Sequence, residues 1–158
     1  MHYDVFNGDA DGIISLLQLR KAQPKVSTLV TGVKRDIKLL KQLMPKSDVS
    51  GVTVLDISME KNITELNVLI ESDIPVFYCD HHRCGEVPQS NNLTALIDLD
   101  AQTCTSLLIN QHLKGRFAVW AVAGAFGDNL FASAEKLGNS LNLSPTEMDF
   151  LKELGTLI

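Results

Sequence analysis

Three short groups of residues carry side chains that could do chemistry. Asp9 and Asp11 sit in Asn7-Gly8-Asp9-Ala10-Asp11-Gly12, Asp56 ends an apolar run, and Asp80 opens Asp80-His81-His82. Asp9 and Asp11 are two residues apart, so an extended backbone points both the same way. Carboxylates gathered at one place repel, and some would take up protons. A divalent cation removes that conflict. Oxygen donors with one or two imidazoles suit manganese, with magnesium, iron or cobalt as alternatives. A structural zinc site is disfavoured because Cys79, Cys84 and Cys104 stand outside this set of residues. A plainer reading stays open beside this one: Asp9 and Asp11 as a turn and helix cap, Asp56 as a strand-end cap.

These groups become a site only if the elements between them bring them together. Residues 3–6, 25–31, 51–57, 74–79 and 92–99 read as strands, and 13–22, 34–43 and 62–71 as helices between them. Strands alternating with helices of about ten residues predict βαβ units and a mostly parallel sheet. The near-continuous apolar runs suit strands covered on both faces. Asp9, Asp56 and Asp80 each follow a strand, and the crevice beyond the carboxyl ends is where open parallel sheets place their sites. After Asp100 the pattern is helical, over 103–112, 117–126 and 130–141. Ser144-Pro145-Thr146-Glu147 starts a last helix, with Leu143 and Met148 as its staple and Gly155 as its expected stop. The expected division is 1–143 as one catalytic-type domain and 144–158 as a terminal helix that opens a linker.

A length of 158 residues fits one domain able to bury its own core. The net charge of −5 argues against a broad surface for duplex DNA. Arg20, Lys21 and Lys25, with Lys34, Arg35, Lys38 and Lys41, form only a mild basic cluster with weak support for anion attraction. No apolar run reaches the roughly 20 residues of a membrane helix, and three cysteines without paired spacing predict reduced thiols in a cytoplasmic protein. There is no dinucleotide fingerprint, phosphate-loop lysine or nucleophile elbow.

Asn7-Gly8-Asp9-Ala10-Asp11-Gly12, Asp56, Asp80-His81-His82 and Gly127-Asp128-Asn129 resemble, in order, the four motifs of the DHH phosphoesterase superfamily. The resemblance spans roughly residues 1–130. It implies a three-layer α/β fold, sheet order 2-1-3-4-5, with a C-terminal helical block beside the sheet that carries Asp128 to the metal cluster. It implies two manganese ions (magnesium or cobalt as alternatives), with Asp9 on the first, Asp11, His81 and Asp128 on the second, and Asp56 shared. It gives His82 to the substrate phosphate and makes Asp80 the residue that orients the imidazoles. Asn7 stands where the family has His or Asp, and an amide oxygen is a weak, uncharged ligand. The implied reaction is hydrolysis of a phosphoester by a hydroxide held between two ions. Short single-stranded oligonucleotides or small phosphorylated nucleotides are the expected substrates, with pyrophosphate or polyphosphate as runner-up. A non-catalytic nucleotide- or metal-binding regulatory module is the alternative of another class. The resemblance also implies a smaller substrate-binding domain after the linker, absent from this chain. An exposed apolar patch near 150–158 is expected in its absence, with a homodimer as one way to cover it.

Overall fold

A computed structural model describes residues 1–158. The strands are β1 (His2–Asn7), β2 (Thr28–Gly32), β3 (Gly51–Leu55), β4 (Val76–Asp80) and β5 (Leu93–Ile97). The helices are α1 (Ala10–Ala22), α2 (Ile63–Glu71), α3 (Thr105–His112), α4 (Ala118–Gly127), α5 (Phe131–Ser140) and α6 (Pro145–Leu157). No helix is long and apolar enough to cross a membrane. By its internal contacts the chain divides into two compact units, residues 1–8 with 25–99, and 9–24 with 100–158.

The first unit holds a five-stranded sheet in the order β2-β1-β3-β4-β5, parallel throughout, as expected. β3 is Gly-Val-Thr-Val-Leu and buried along its whole length, as a central parallel strand requires. Tyr3, Val5, Val52, Val54, Val76 and Tyr78 alternate onto one face and pack with Leu40, Leu43, Leu66 and Ile70. The register aligns Asn7 with Gly32, Phe6 with Leu55, Leu55 with Cys79, and Asp80 with Ile97. The carboxyl ends therefore finish at one level.

Residues 34–43 differ from expectation, because only a 3₁₀ turn forms at Leu39–Leu43. One local side chain and one distant one take backbone groups of this stretch. The Asp36 carboxylate accepts the Val33 N–H at 3.1 Å. The buried Asn62 donates to the Ile37 carbonyl at 2.6 Å and accepts from the Leu40 N–H at 3.3 Å. This is the competition through which short polar side chains displace helix.

The second unit is all helical. α1 begins at Ala10, three residues earlier than the apolar pattern indicates, because Asp9 is its N-cap and accepts the Gly12 N–H at 3.0 Å. Ile14, Val122, Ala123, Ala125, Phe126 and Leu151 form its core. α6 starts as expected, with the Ser144 hydroxyl accepting the Glu147 N–H at 3.1 Å. Gly155 does not stop it, because the helix runs on to Leu157. Gly155 instead allows α6 to press against α4: a Cβ there would lie 2.1 Å from the Ala123 carbonyl oxygen.

Gly155→Ala is accordingly expected to destabilise, although alanine is the better helix former by about 1 kcal/mol. Overpacking against backbone costs about 1–3 kcal/mol. At roughly 2–4 °C per kcal/mol for this chain length, the melting temperature should fall by a few degrees. A melting temperature that rises would show the α4–α6 contact to be looser than described.

Along α6 and its neighbours Phe150, Leu157, Ile158 and Val119 are exposed, so the apolar surface near 150–158 is present. Val119, Leu143, Phe150 and Leu151 line an apolar groove of about 380 Å³ there.

Candidate metal centre

In the sheet unit, the ends of β3 and β4 hold the sharper constellation. Asp56, Asp80, His81 and His82 each place one ligand atom within 4.8 Å of the others. Asp56 follows β3 with φ of 63°, and its N–H donates to the Cys79 carbonyl at 3.0 Å. Aspartate tolerates this left-handed conformation better than most residues. Strain of this kind persists only where the surroundings over-determine it. Those surroundings are visible. The Tyr78 hydroxyl donates to the Ile57 carbonyl at 2.8 Å, and burial, then the nearby Asp80 charge, holds its pKa well above the usual value, so it stays a donor. The Ser58 hydroxyl donates to the Arg83 carbonyl at 3.2 Å, tying the loop after β3 to the loop after β4.

Asp80 is fully buried. Its Oδ1 lies 2.6 Å from His82 Nδ1, which fixes the orientation of that ring. Its Oδ2 is buried with no hydrogen-bond partner, an arrangement that is costly for a carboxylate unless a cation answers it. His81 Nε2 lies 3.4 Å from Asp56 Oδ1, and the two imidazoles stand 4.3 Å apart between centroids. His82 is the open member, with its side chain 47% exposed against 16% for His81. Two buried carboxylates, one with an orphaned oxygen, and two imidazoles could hold a metal ion.

Asn7 ends β1 in the same unit, and its amide donates to the Lys34 carbonyl at 2.9 Å.

The helical unit gathers Asp11, Cys104 and Asp128, again with ligand atoms within 4.8 Å. The expectation that no cysteine joins a carboxylate cluster is corrected here. Cys104 directly precedes α3, and the α1–α3 packing sets it beside Asp11. Its buried thiol is pushed strongly up, first by burial and then by Asp11, with Asp128 contributing less. Without a metal it therefore stays protonated. Asp11 caps α3: Oδ2 accepts the Thr105 N–H at 3.0 Å and Oδ1 accepts the Ser106 N–H at 2.7 Å. Asp128 is the C-cap of α4, followed by Asn129 at φ of 61°, the left-handed turn that ends the helix. Asp9, beyond its capping bond, belongs to neither cluster.

No family model matches the sequence, and no curated protein matches it either. Solved structures do. A RecJ exonuclease bound to manganese aligns at TM-score 0.57 and 19% identity over 86% of this chain and 41% of its own. The DHH domain of a member of the s1p family of ribosomal proteins aligns at 0.66 and 11%, over 98% and 46%. CDC45 from Entamoeba histolytica aligns at 0.62 and 15%, over 91% and 34%. The chain has the fold of a DHH domain. It spans less than half the length of each of these three structures. Within the DHH fold, the sequence positions Asp80-His81-His82 are the end of β4 and the first residues of the loop behind it.

Proposed function

We propose that this DHH-fold chain is the metal-binding part of a divalent-cation-dependent phosphoesterase acting on short oligonucleotides or small phosphorylated nucleotides. The observation that carries the reading is the cluster of Asp56, Asp80, His81 and His82 at the ends of β3 and β4. Asp56 and His81 would hold the cation, manganese by preference. A bound divalent ion supplies Lewis-acid charge and a water of lowered pKa. The protein's own part is positional. Asp80 holds Nδ1 of His82, so that the exposed edge of His82 can donate to a phosphoryl oxygen where negative charge grows. Asp9, Asp11 and Asp128 are proposed as further oxygen donors, with Asn7 as a weak one. Pyrophosphate or polyphosphate hydrolysis remains the neighbouring chemistry. Long duplex DNA is not expected as a substrate. A separate substrate-binding domain, a homodimer over the apolar groove and a cytoplasmic location complete the proposal.

Two observations favour the second reading, a nucleotide- or metal-binding module without turnover. Both Asp11 oxygens already serve α3, and the Asn7 amide serves Lys34. Manganese titration by calorimetry, run beside hydrolysis of a dinucleotide with and without chelator, tests the choice. Manganese-dependent cleavage that chelator abolishes is the expected result. Manganese and nucleotide binding without cleavage would establish the module instead.

A further inference from the structure

β2 is an edge strand. It pairs with β1 on one side and with no strand on the other, so a row of its backbone N–H and carbonyl groups faces outward. Proteins ordinarily blunt such an edge with a charge, a proline, a bulge or a covering element. From Val26 to Val33 there is no charged residue and no proline, and the register with β1 runs unbroken from Thr28 to Gly32. Thr28, Leu29 and Thr31 are exposed, and so are Val26 and Val33 at the two ends, at 89% and 58%. β5, the opposite edge, is half-buried at four of its five positions. The open edge is therefore the one at β2.

This edge is held at both ends. Before the strand the Ser27 hydroxyl donates to the buried Asp4 carboxylate at 2.6 Å, and after it the Asp36 carboxylate accepts the Val33 N–H at 3.1 Å. A partner strand meets a backbone already fixed, so the ordering cost falls on the partner alone. Side chains alternate along a strand. Val30 is buried in the sheet's core, so Leu29 and Thr31 take the other face, where Leu29 is open to a cross-strand neighbour. Charge decides which partner fits. The uncharged run lies between exposed cations, Lys25 before it and Arg35 and Lys38 after it. Asp36, the acid among them, is already engaged with Val33. A two-fold pairing of β2 with β2, centred on Val30, would oppose Lys25 to Arg35 at both ends. Like charges facing each other across strands are unfavourable, which disfavours a second copy and favours carboxylates.

We propose that the open edge of β2 docks an extended segment of another protein, apolar or β-branched along its middle and acidic at its ends, which adds a sixth strand to the sheet. Backbone hydrogen bonds to residues 28–32 attach it, and Leu29 supplies the apolar contact. Lys25 at one end, and Arg35 with Lys38 at the other, select the carboxylates. The more acidic end of the segment lies beside Arg35 and Lys38, where the cations are denser. At about 3.3 Å per residue the uncharged run offers roughly 26 Å of strand. None of these contacts uses Asp56, Asp80, His81 or His82, so the docking site stands or falls apart from the phosphoesterase reading.

The probe is a synthetic peptide with blocked ends, Glu-Glu-Val-Thr-Ile-Thr-Val-Thr-Glu-Glu, titrated by calorimetry into the 158-residue chain at low salt with chelator present. The wild type is expected to bind one peptide per chain, and amide hydrogen exchange should slow within 28–32 but not along β5. Leu29→Glu, at an exposed position, should weaken binding by about tenfold or more, because a carboxylate replaces the apolar cross-strand contact. Arg35→Glu with Lys38→Glu should weaken it by a similar factor, and its difference from the wild type should shrink as salt is added. A peptide with Lys in place of every Glu should reverse that preference, binding the charge-reversed chain more tightly than the wild type. Phe150→Glu, on the exposed apolar surface of α6, should change affinity by less than about twofold, which separates this edge from the groove there. No saturable binding by the wild type at about 1 mM peptide, or equal binding by Leu29→Glu, would overturn the docking site. A wild-type chain that sediments as a dimer, with Leu29→Glu a monomer, would overturn the acidic partner in favour of a second copy.

Discussion

Asp56→Asn is expected to reduce manganese-dependent phosphoester hydrolysis by more than 100-fold while leaving the fold as stable as before, or more stable. The two halves of this prediction have one cause. Asp56 and Asp80 are both buried, 2% and 0% exposed, and they stand within a ligand's width of each other. With a cation present, the two negative charges attract it. Without one they repel and are poorly solvated. Asparagine keeps the shape and tolerates φ of 63° at least as well as aspartate, so the backbone turn after β3 survives. What disappears is the charge, and loss of an outer partner alone costs about 10–100-fold at metal sites. Metal-free melting and manganese-dependent rates, measured on the same preparation, check it. A variant that melts well below the wild type, with its rate intact, would make Asp56 a structural cap and nothing more.

Asp11→Ala is expected to be the most destabilising single substitution at the sites described, by about 3–5 kcal/mol. The buried N–H groups of Thr105 and Ser106 would lose a charged acceptor, and each buried orphan costs about 1–3 kcal/mol. The favourable charge at the start of α3 goes with them. At roughly 2–4 °C per kcal/mol the melting temperature should fall by about 10 °C. Asp11→Asn keeps one acceptor oxygen and should fall between. The pair also measures a second role. If Asp11 is a metal ligand as well as a cap, Asp11→Asn will lose manganese affinity out of proportion to its stability. Unchanged melting in Asp11→Ala would contradict the capping geometry.

The residue pattern alone determined a mostly parallel sheet and the helical character of the last third, while the strand order came only from the resemblance to the DHH superfamily. Apolar runs such as Val52 to Leu55 are long enough to be buried strands, and the strand–helix alternation leaves few ways to connect them. It also singled out Asp56 and Asp80-His81-His82. Asp-His-His after an apolar strand is a rare structural pattern, Asp56 alone could have been a strand-end cap, and parallel strands deliver their ends to one edge whatever the details of packing. Ser144-Pro145 likewise showed the start of α6, because caps are local.

Tertiary structure decided what depends on partners distant in the chain. Asn62 turned a helix-like stretch at 34–43 into a loop and a 3₁₀ turn, since its side chain, more than 20 residues away, claimed the backbone groups of Ile37 and Leu40. Gly155 read as a helix stop from its neighbours, but its absent Cβ serves the approach of α4, some 30 residues earlier. Cys104 had no partner in its own segment and gained Asp11 and Asp128 only through helix packing. Asp11 shows the division most plainly. Its place two residues after Asp9 suggested shared metal chemistry, while the fold turned its carboxylate onto α3, a helix 94 residues away. Periodicity and capping are written in adjacent residues. Which buried backbone donor a given carboxylate must satisfy is settled only when the helices meet.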